Sequence, residues 1–167
     1  MSCSPVYIAA PYGAASLDGI AWNTMRAACL ARLSVHMGFA PILVHASIPF
    51  LYGEDTPANR AIGIARNIAL VELVASNPEG HLWILEAGSG GGPGDPQTGG
   101  MTSGVRAEWH AWIRVRGDKR GVRSLTWEGW AQIAFPQGFA LAWARYAHPP
   151  ESGDHIPSTP FLLTQTG

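Results

Sequence analysis

The chain has 167 residues, 47% of them apolar and 14% charged, with a formal net charge of −1. That length suits one domain with a real core rather than two, and so few charges exclude a disordered chain. Eleven basic residues, among which Lys119 is the one lysine, argue against a nucleic-acid polymer as partner.

Taken in order, Val6 to Ala10 (VYIAA) is a short, partly β-branched apolar run ended by Pro11, and reads as a buried first strand. A turn-rich loop, Pro11 to Ser16, precedes a helix from about Leu17 to Met37 with Ala27, Leu30, Ala31, Ser34 and Val35 at helical spacing. Gly38 is a natural helix stop. Pro41 to His45 (PILVH) supplies the second strand. After a longer loop with Glu54 and Asp55, a second helix runs from about Ala58 to Ala75, with Ala61, Ile64, Ala65, Ile68 and Ala69 on one face. Asn77-Pro78-Glu79-Gly80 breaks the chain before a third strand, His81 to Leu85 (HLWIL).

A glycine-rich loop from Gly88 then leads to a helix starting near Thr102-Ser103-Gly104, and Gly121 to Leu125 offers a fourth strand. Glu128 to Tyr146 reads as another helix, broken near Pro136-Gln137-Gly138, and residues 148–167 as an extended, proline-rich tail behind a single domain of 1–147. Alternating strands and helices imply a three-layer α/β/α fold with a mainly parallel, flavodoxin- or Rossmann-like sheet. Ligands in such folds bind at the carboxyl ends of the strands. Here those ends are Ala10-Pro11-Tyr12, Val44-His45, and Leu85-Glu86 with the glycine loop.

The remaining composition is less directive. Cys3 and Cys29 give neither a disulfide framework nor a metal-ligand spacing, and the six histidines contain no H-x-x-x-H. No metal and no cofactor is therefore expected. Neither a leader sequence nor a membrane-length apolar run is evident, which leaves a reducing cytoplasm without a membrane partner as the expected setting. Seven tryptophans, five of them in the second half (Trp109, Trp112, Trp127, Trp130 and Trp143), are expected to pack the core and a subunit interface, hence a homodimer or higher homo-oligomer. The basic cluster Arg114, Arg116, Lys119, Arg120 and Arg123 reads as a solvated loop, with a phosphate contact as the alternative.

Familiar phosphate motifs do not fit the glycine loop. It contains no G-x-G-x-x-G followed by the expected acid, no G-K-[ST], and the P-G-G-x-G-T-x-x-E spacing would place the glutamate at Arg106. Nor is there a G-x-S-x-G elbow. What remains is the helix start at Thr102 to Gly104, whose free N–H groups and dipole attract an anion. Glu108 follows about one turn later, roughly 6 Å along the axis. By itself it reads either as a functional carboxylate or as a solvated helix glutamate paired with Arg106 or Arg114. Nearness to the helix start is expected to keep it ionised.

Several features taken together, VYIAAPYG, Asn23 with Ala27 and Ala31, Gly38 leading to PILVH, NRAIGI, HLWIL and TSGVRAE, resemble the nucleoside 2-deoxyribosyltransferase-like superfamily. The resemblance covers about residues 6–120. It implies a glutamate nucleophile at Glu108, with Gly104 four residues before it, attacking the anomeric carbon of a ribose or deoxyribose and expelling the base. Thr102, a hydroxyl residue six positions before the glutamate, favours a nucleoside 5′-monophosphate over a free nucleoside, with Ser103 beside it. Tyr7 and Tyr12 are candidates to hold Glu108 in orientation, and Pro11, Arg60 and His45 to contact substrate. The aspartate that often precedes the third strand is replaced here by Gly80 or His81, so the general acid is left among His45, Asp55, Glu86 and Asp95. The long loop from Gly88 to Met101 reads as a lid, or as the mark of a member that binds nucleotides without cleaving them.

Overall fold

The computed structural model describes residues 3–13, 17–44, 56–86, 101–126 and 129–130. Its elements are β1 (Ser4–Ala9), α1 (Leu17–His36), β2 (Phe39–Ile42), α2 (Pro57–Ser76), β3 (His81–Leu85), α3 (Ser103–Arg116) and β4 (Val122–Leu125). The four strands form one parallel sheet in the order β2-β1-β3-β4. From β1 the chain steps one way to β2, then reverses across β1 to β3 and continues to β4. With one hand of crossover, the reversal must put α1 on the opposite face from α2 and α3.

The core shows that division. On one face Val6, Ile8, Ala10, Trp83 and Leu85 pack with Ala27, Leu30 and Ala31 of α1 and with Trp130. On the other, Tyr7, Ala9, Leu82 and Ile84 pack with Val71, Val74 and Ala75 of α2 and Val105, Ala111 and Trp112 of α3. Three layers result, as the sequence pattern implies. The strand runs are apolar on both sides because both faces of a parallel sheet are covered.

Three differences from the sequence reading have physical causes. Pro41 lies inside β2 rather than at its start, and β2 ends at Ile42. A proline is tolerated there because β2 is an edge strand among the described residues, with one side that has no ladder there to donate to. On α1, Val35 is exposed while Arg26 is buried, its guanidinium stacked over Trp22 at 4.0 Å. On α2, Ala61, Ala65 and Ala69 are exposed, whereas Gly63, Asn67, Val71, Val74 and Ala75 face inward. With three charged residues in twenty, α2 is apolar nearly all round, so periodicity alone does not choose its inner face.

The amino edge of the sheet is closed tightly. A Cβ on Gly80 would lie 2.0 Å from the Val74 carbonyl oxygen, and Gly121 has φ +77° with the Gly80 carbonyl 2.7 Å from where its Cβ would stand. Arg116 donates through Nη2 to the carbonyls of Pro78 (3.0 Å) and Gly80 (3.1 Å). Of the other basic residues nearby, Arg114 pairs with Glu72, Arg120 with Asp118 at 2.8 Å, and Lys119 lies 5.9 Å above the Trp109 ring. These residues tie local structure together.

Candidate functional site

Helices α1, α2 and α3 each follow a strand of the parallel sheet, so each begins at its carboxyl edge. Helix α3 starts where expected: Thr102 is its N-cap, with φ −66° and ψ 162°, and its hydroxyl oxygen accepts from the Val105 N–H at 3.4 Å. The Arg106 N–H donates to the Thr102 carbonyl at 2.9 Å. That leaves the N–H groups of Ser103 and Gly104 without an acceptor among the described residues, as the first turn of a helix requires. A Cβ on Gly104 would meet nothing within 4 Å among those residues, so there is room beside this turn.

Glu108 lies in the second turn of α3 and is 4% exposed. It is not a solvated surface glutamate, and Arg114 is engaged by Glu72 instead. Its Oε1 accepts from the Tyr7 hydroxyl of β1 at 2.8 Å and from Asn67 Nδ2 of α2 at 3.0 Å. Its Oε2 is closed off from solvent and has no hydrogen-bond partner among the described residues. The carboxyl is thus held by one oxygen only.

Burial pushes the Glu108 pKa up from 4.5 to about 7, against the opposing pull of the Tyr7 and Asn67 hydrogen bonds. This corrects the expectation of a fully ionised group. The helix dipole acts mainly within the first turn, and Glu108 sits beyond it, where loss of solvent is the larger effect.

The other candidates are distributed as follows. Pro11 is buried directly after β1, and Tyr12 is half-buried next to it. Tyr12 and Gly13 are held through their carbonyls, which accept from Asn23 Nδ2 at 3.3 and 3.4 Å. The second donor to Glu108, sought from Tyr12, is supplied by Asn67. Arg60 is exposed in the first turn of α2, its N–H bonded to the Thr56 carbonyl at 2.9 Å.

Glu86 prolongs β3: its N–H donates to the Leu125 carbonyl at 3.0 Å, and its Oε1 accepts from the Ser124 hydroxyl at 2.7 Å. Strand alternation puts it on the same face as Leu82 and Ile84, the face that carries Glu108. His45, Asp55, Asp95, most of the Gly88 to Met101 loop, the 128–146 helix apart from 129–130 and the 148–167 tail lie outside the described residues. Among the described residues no three His, Cys, Asp or Glu side chains gather to hold a metal ion. No helix there is long and apolar enough to cross a membrane.

The residue that sequence reasoning missed is Asn67. Its signal was a polar amide four residues from both Gly63 and Val71 in a largely apolar helix, a place where an unpaired amide is costly.

A family model matches residues 4–88. The chain belongs to the family described as domain of unknown function DUF7768. The DUF7768 match takes in β1 to β3, and so both donors to Glu108, and it ends before α3. No curated protein and no solved structure matches the chain.

Proposed function

We propose that this DUF7768 protein cleaves the N-glycosidic bond of a nucleoside 5′-monophosphate or related nucleotide, or transfers its sugar, with Glu108 as nucleophile. The observation that carries the reading is the unequal state of the two carboxyl oxygens: Oε1 anchored twice, Oε2 without a partner among the described residues. The 5′-phosphate would sit against the free N–H groups of Ser103 and Gly104, with the Thr102 hydroxyl proton available to it. The anomeric carbon would then lie near Glu108, about one helix turn away.

In this reaction Oε2 forms a bond to C1′ as the C1′–N bond breaks, and the base leaves with that electron pair and takes up a proton. Glu86, on the same face, is the candidate donor among the described residues. Water then attacks C1′ while giving up a proton to the Glu86 carboxylate, releasing the sugar phosphate and restoring the Glu108 carboxylate, or a second base gives up its N–H proton in the same way and captures the sugar. The ionised carboxylate also stabilises the oxocarbenium-like transition state. Because Oε2 is sealed, the site must open before chemistry.

The test is incubation with a panel of nucleoside 5′-monophosphates and chromatography for free base. Glu108→Gln is expected to cut release by about a thousandfold or more. Release by Glu108→Ala equal to wild type would overturn the nucleophile. Since the group ionises at about 7, kcat/KM should rise with pH through that value.

The sealed Oε2 favours one other reading, a protein that binds nucleotides without cleaving them. Its signature is a nucleotide-dependent rise in Tm with no base released. On either reading the chain is proposed to work as a homodimer or larger assembly.

A further inference from the structure

We propose that Asn67 is a positioning residue for Glu108: together with Tyr7 it ties down Oε1 and so assigns all proton exchange and bond formation to Oε2. Its catalytic consequence rests on the glycosidase reading, whereas its hold on the carboxyl does not.

The geometry is specific. Asn67 projects from the inner face of α2, is 9% exposed, and places Nδ2 3.0 Å from Oε1. Tyr7 reaches the same oxygen from β1, at 2.8 Å. Two elements distant in sequence therefore converge on one atom of a third. A carboxylate oxygen that accepts two hydrogen bonds is the poorer base and nucleophile of the pair, since its lone pairs are engaged. The proton of the neutral form is thereby directed to Oε2, as is the electron pair of the ionised form.

The packing leaves little else to do this. The charged or titratable side chains on the surrounding elements are Tyr7 on β1, Arg60, Arg66 and Glu72 on α2, His81 and Glu86 on and after β3, and Arg106, His110, Arg114 and Arg116 on α3. Besides burial, the groups acting on the Glu108 carboxyl are Tyr7 and Asn67. Asn67 is also oriented to donate: its amide nitrogen, rather than its oxygen, faces the carboxyl. A hydrogen bond of this kind favours the charged form, so Asn67 holds the ionisation of a sealed carboxyl near neutrality.

The test follows the carboxyl itself by NMR, with 13C-labelled glutamate, in wild type, Asn67→Leu and Tyr7→Phe. Both substitutions are expected to raise the Glu108 midpoint above about 7, by about one pH unit for a lost donor to a buried carboxylate. The pH limb of kcat/KM should move with it. In the wild-type protein, which needs no variant to fold, the 15N amide resonances of Asn67 should titrate with the Glu108 midpoint and stop doing so in Glu108→Gln. An unchanged midpoint in Asn67→Leu, or a flat Asn67 amide in wild type, overturns the inference. A raised midpoint in a protein that releases no base from any nucleotide overturns the glycosidase reading and leaves the inference standing.

Discussion

The two faces of the sheet are built from the same strands and behave as different materials. Toward α1, the inward residues Val6, Ile8, Trp83, Leu85 and Trp130 form an aromatic and aliphatic layer, and α1 itself buries Arg26 and Ser34. Phe39 meets Trp83 edge-on at 5.2 Å, and Trp83 meets Trp130 at 4.8 Å. Trp130 also satisfies its indole N–H on the Ile84 carbonyl at 3.0 Å. Toward α2 and α3, one residue along each strand, the equivalent layer encloses Tyr7, Asn67 and Glu108. A domain that needed only a core would have no reason to bury a carboxyl there, since a buried charge is costly even when hydrogen-bonded. Each face buries an ionisable group, Arg26 against Trp22 on the α1 side and Glu108 on the other, and it is at Glu108 that donors from β1 and α2 converge on a single oxygen.

The comparison can be broken by substitution. The largest effect is expected on the α1 face: Trp130→Ala should lose about 4 kcal/mol of stability in denaturant unfolding, by the same amount at pH 5 and pH 8. A pH-dependent loss would mean that the two faces are coupled.

The next effect belongs to the polar face and has the opposite sign. The Glu108 pKa is raised from 4.5 to about 7 in the folded protein, so between those values the native state holds more protons than the unfolded chain. Its contribution to stability is complete below pH 4.5 and is lost as pH rises through about 7, a change of about 3 kcal/mol. Glu108→Gln should remove this decline, matching wild type near pH 4.5 and exceeding it by about 3 kcal/mol at pH 8. A flat wild-type profile over this range would refute the buried, titrating carboxyl. The smallest effect concerns the rim. Thr102→Ala removes the α3 cap and should cost about 1 kcal/mol by thermal unfolding. A loss well above this would mean that Thr102 supports more than the helix end.

Much of the fold could be read directly because β1 and β3 carry short apolar runs, one ended by Pro11 and the other preceded by Gly80, and His81 to Leu85 is legible to the residue. The start of α3 was equally legible, since Thr102 is a capping residue one turn ahead of the helix formers Arg106, Ala107 and Glu108. The site was legible only along the chain. Glu108 and Tyr7 could be singled out, but Asn67 is 41 residues from its partner, on a helix whose hydrophobic pattern points no particular way. Which face of α2 turns inward is decided by tertiary contact, and so is the burial that moves Glu108 away from full ionisation.

The half-anchored carboxyl has a consequence for whatever enters the site. With its pKa raised to about 7, Glu108 exchanges its proton near neutrality, so a ligand that places positive charge beside Oε2 binds the ionised form better. Such a ligand releases protons as it binds near pH 7, and its affinity climbs with pH until the carboxyl is fully ionised. A neutral ligand exchanges no proton there. The site therefore reports the charge of its occupant to the surrounding buffer.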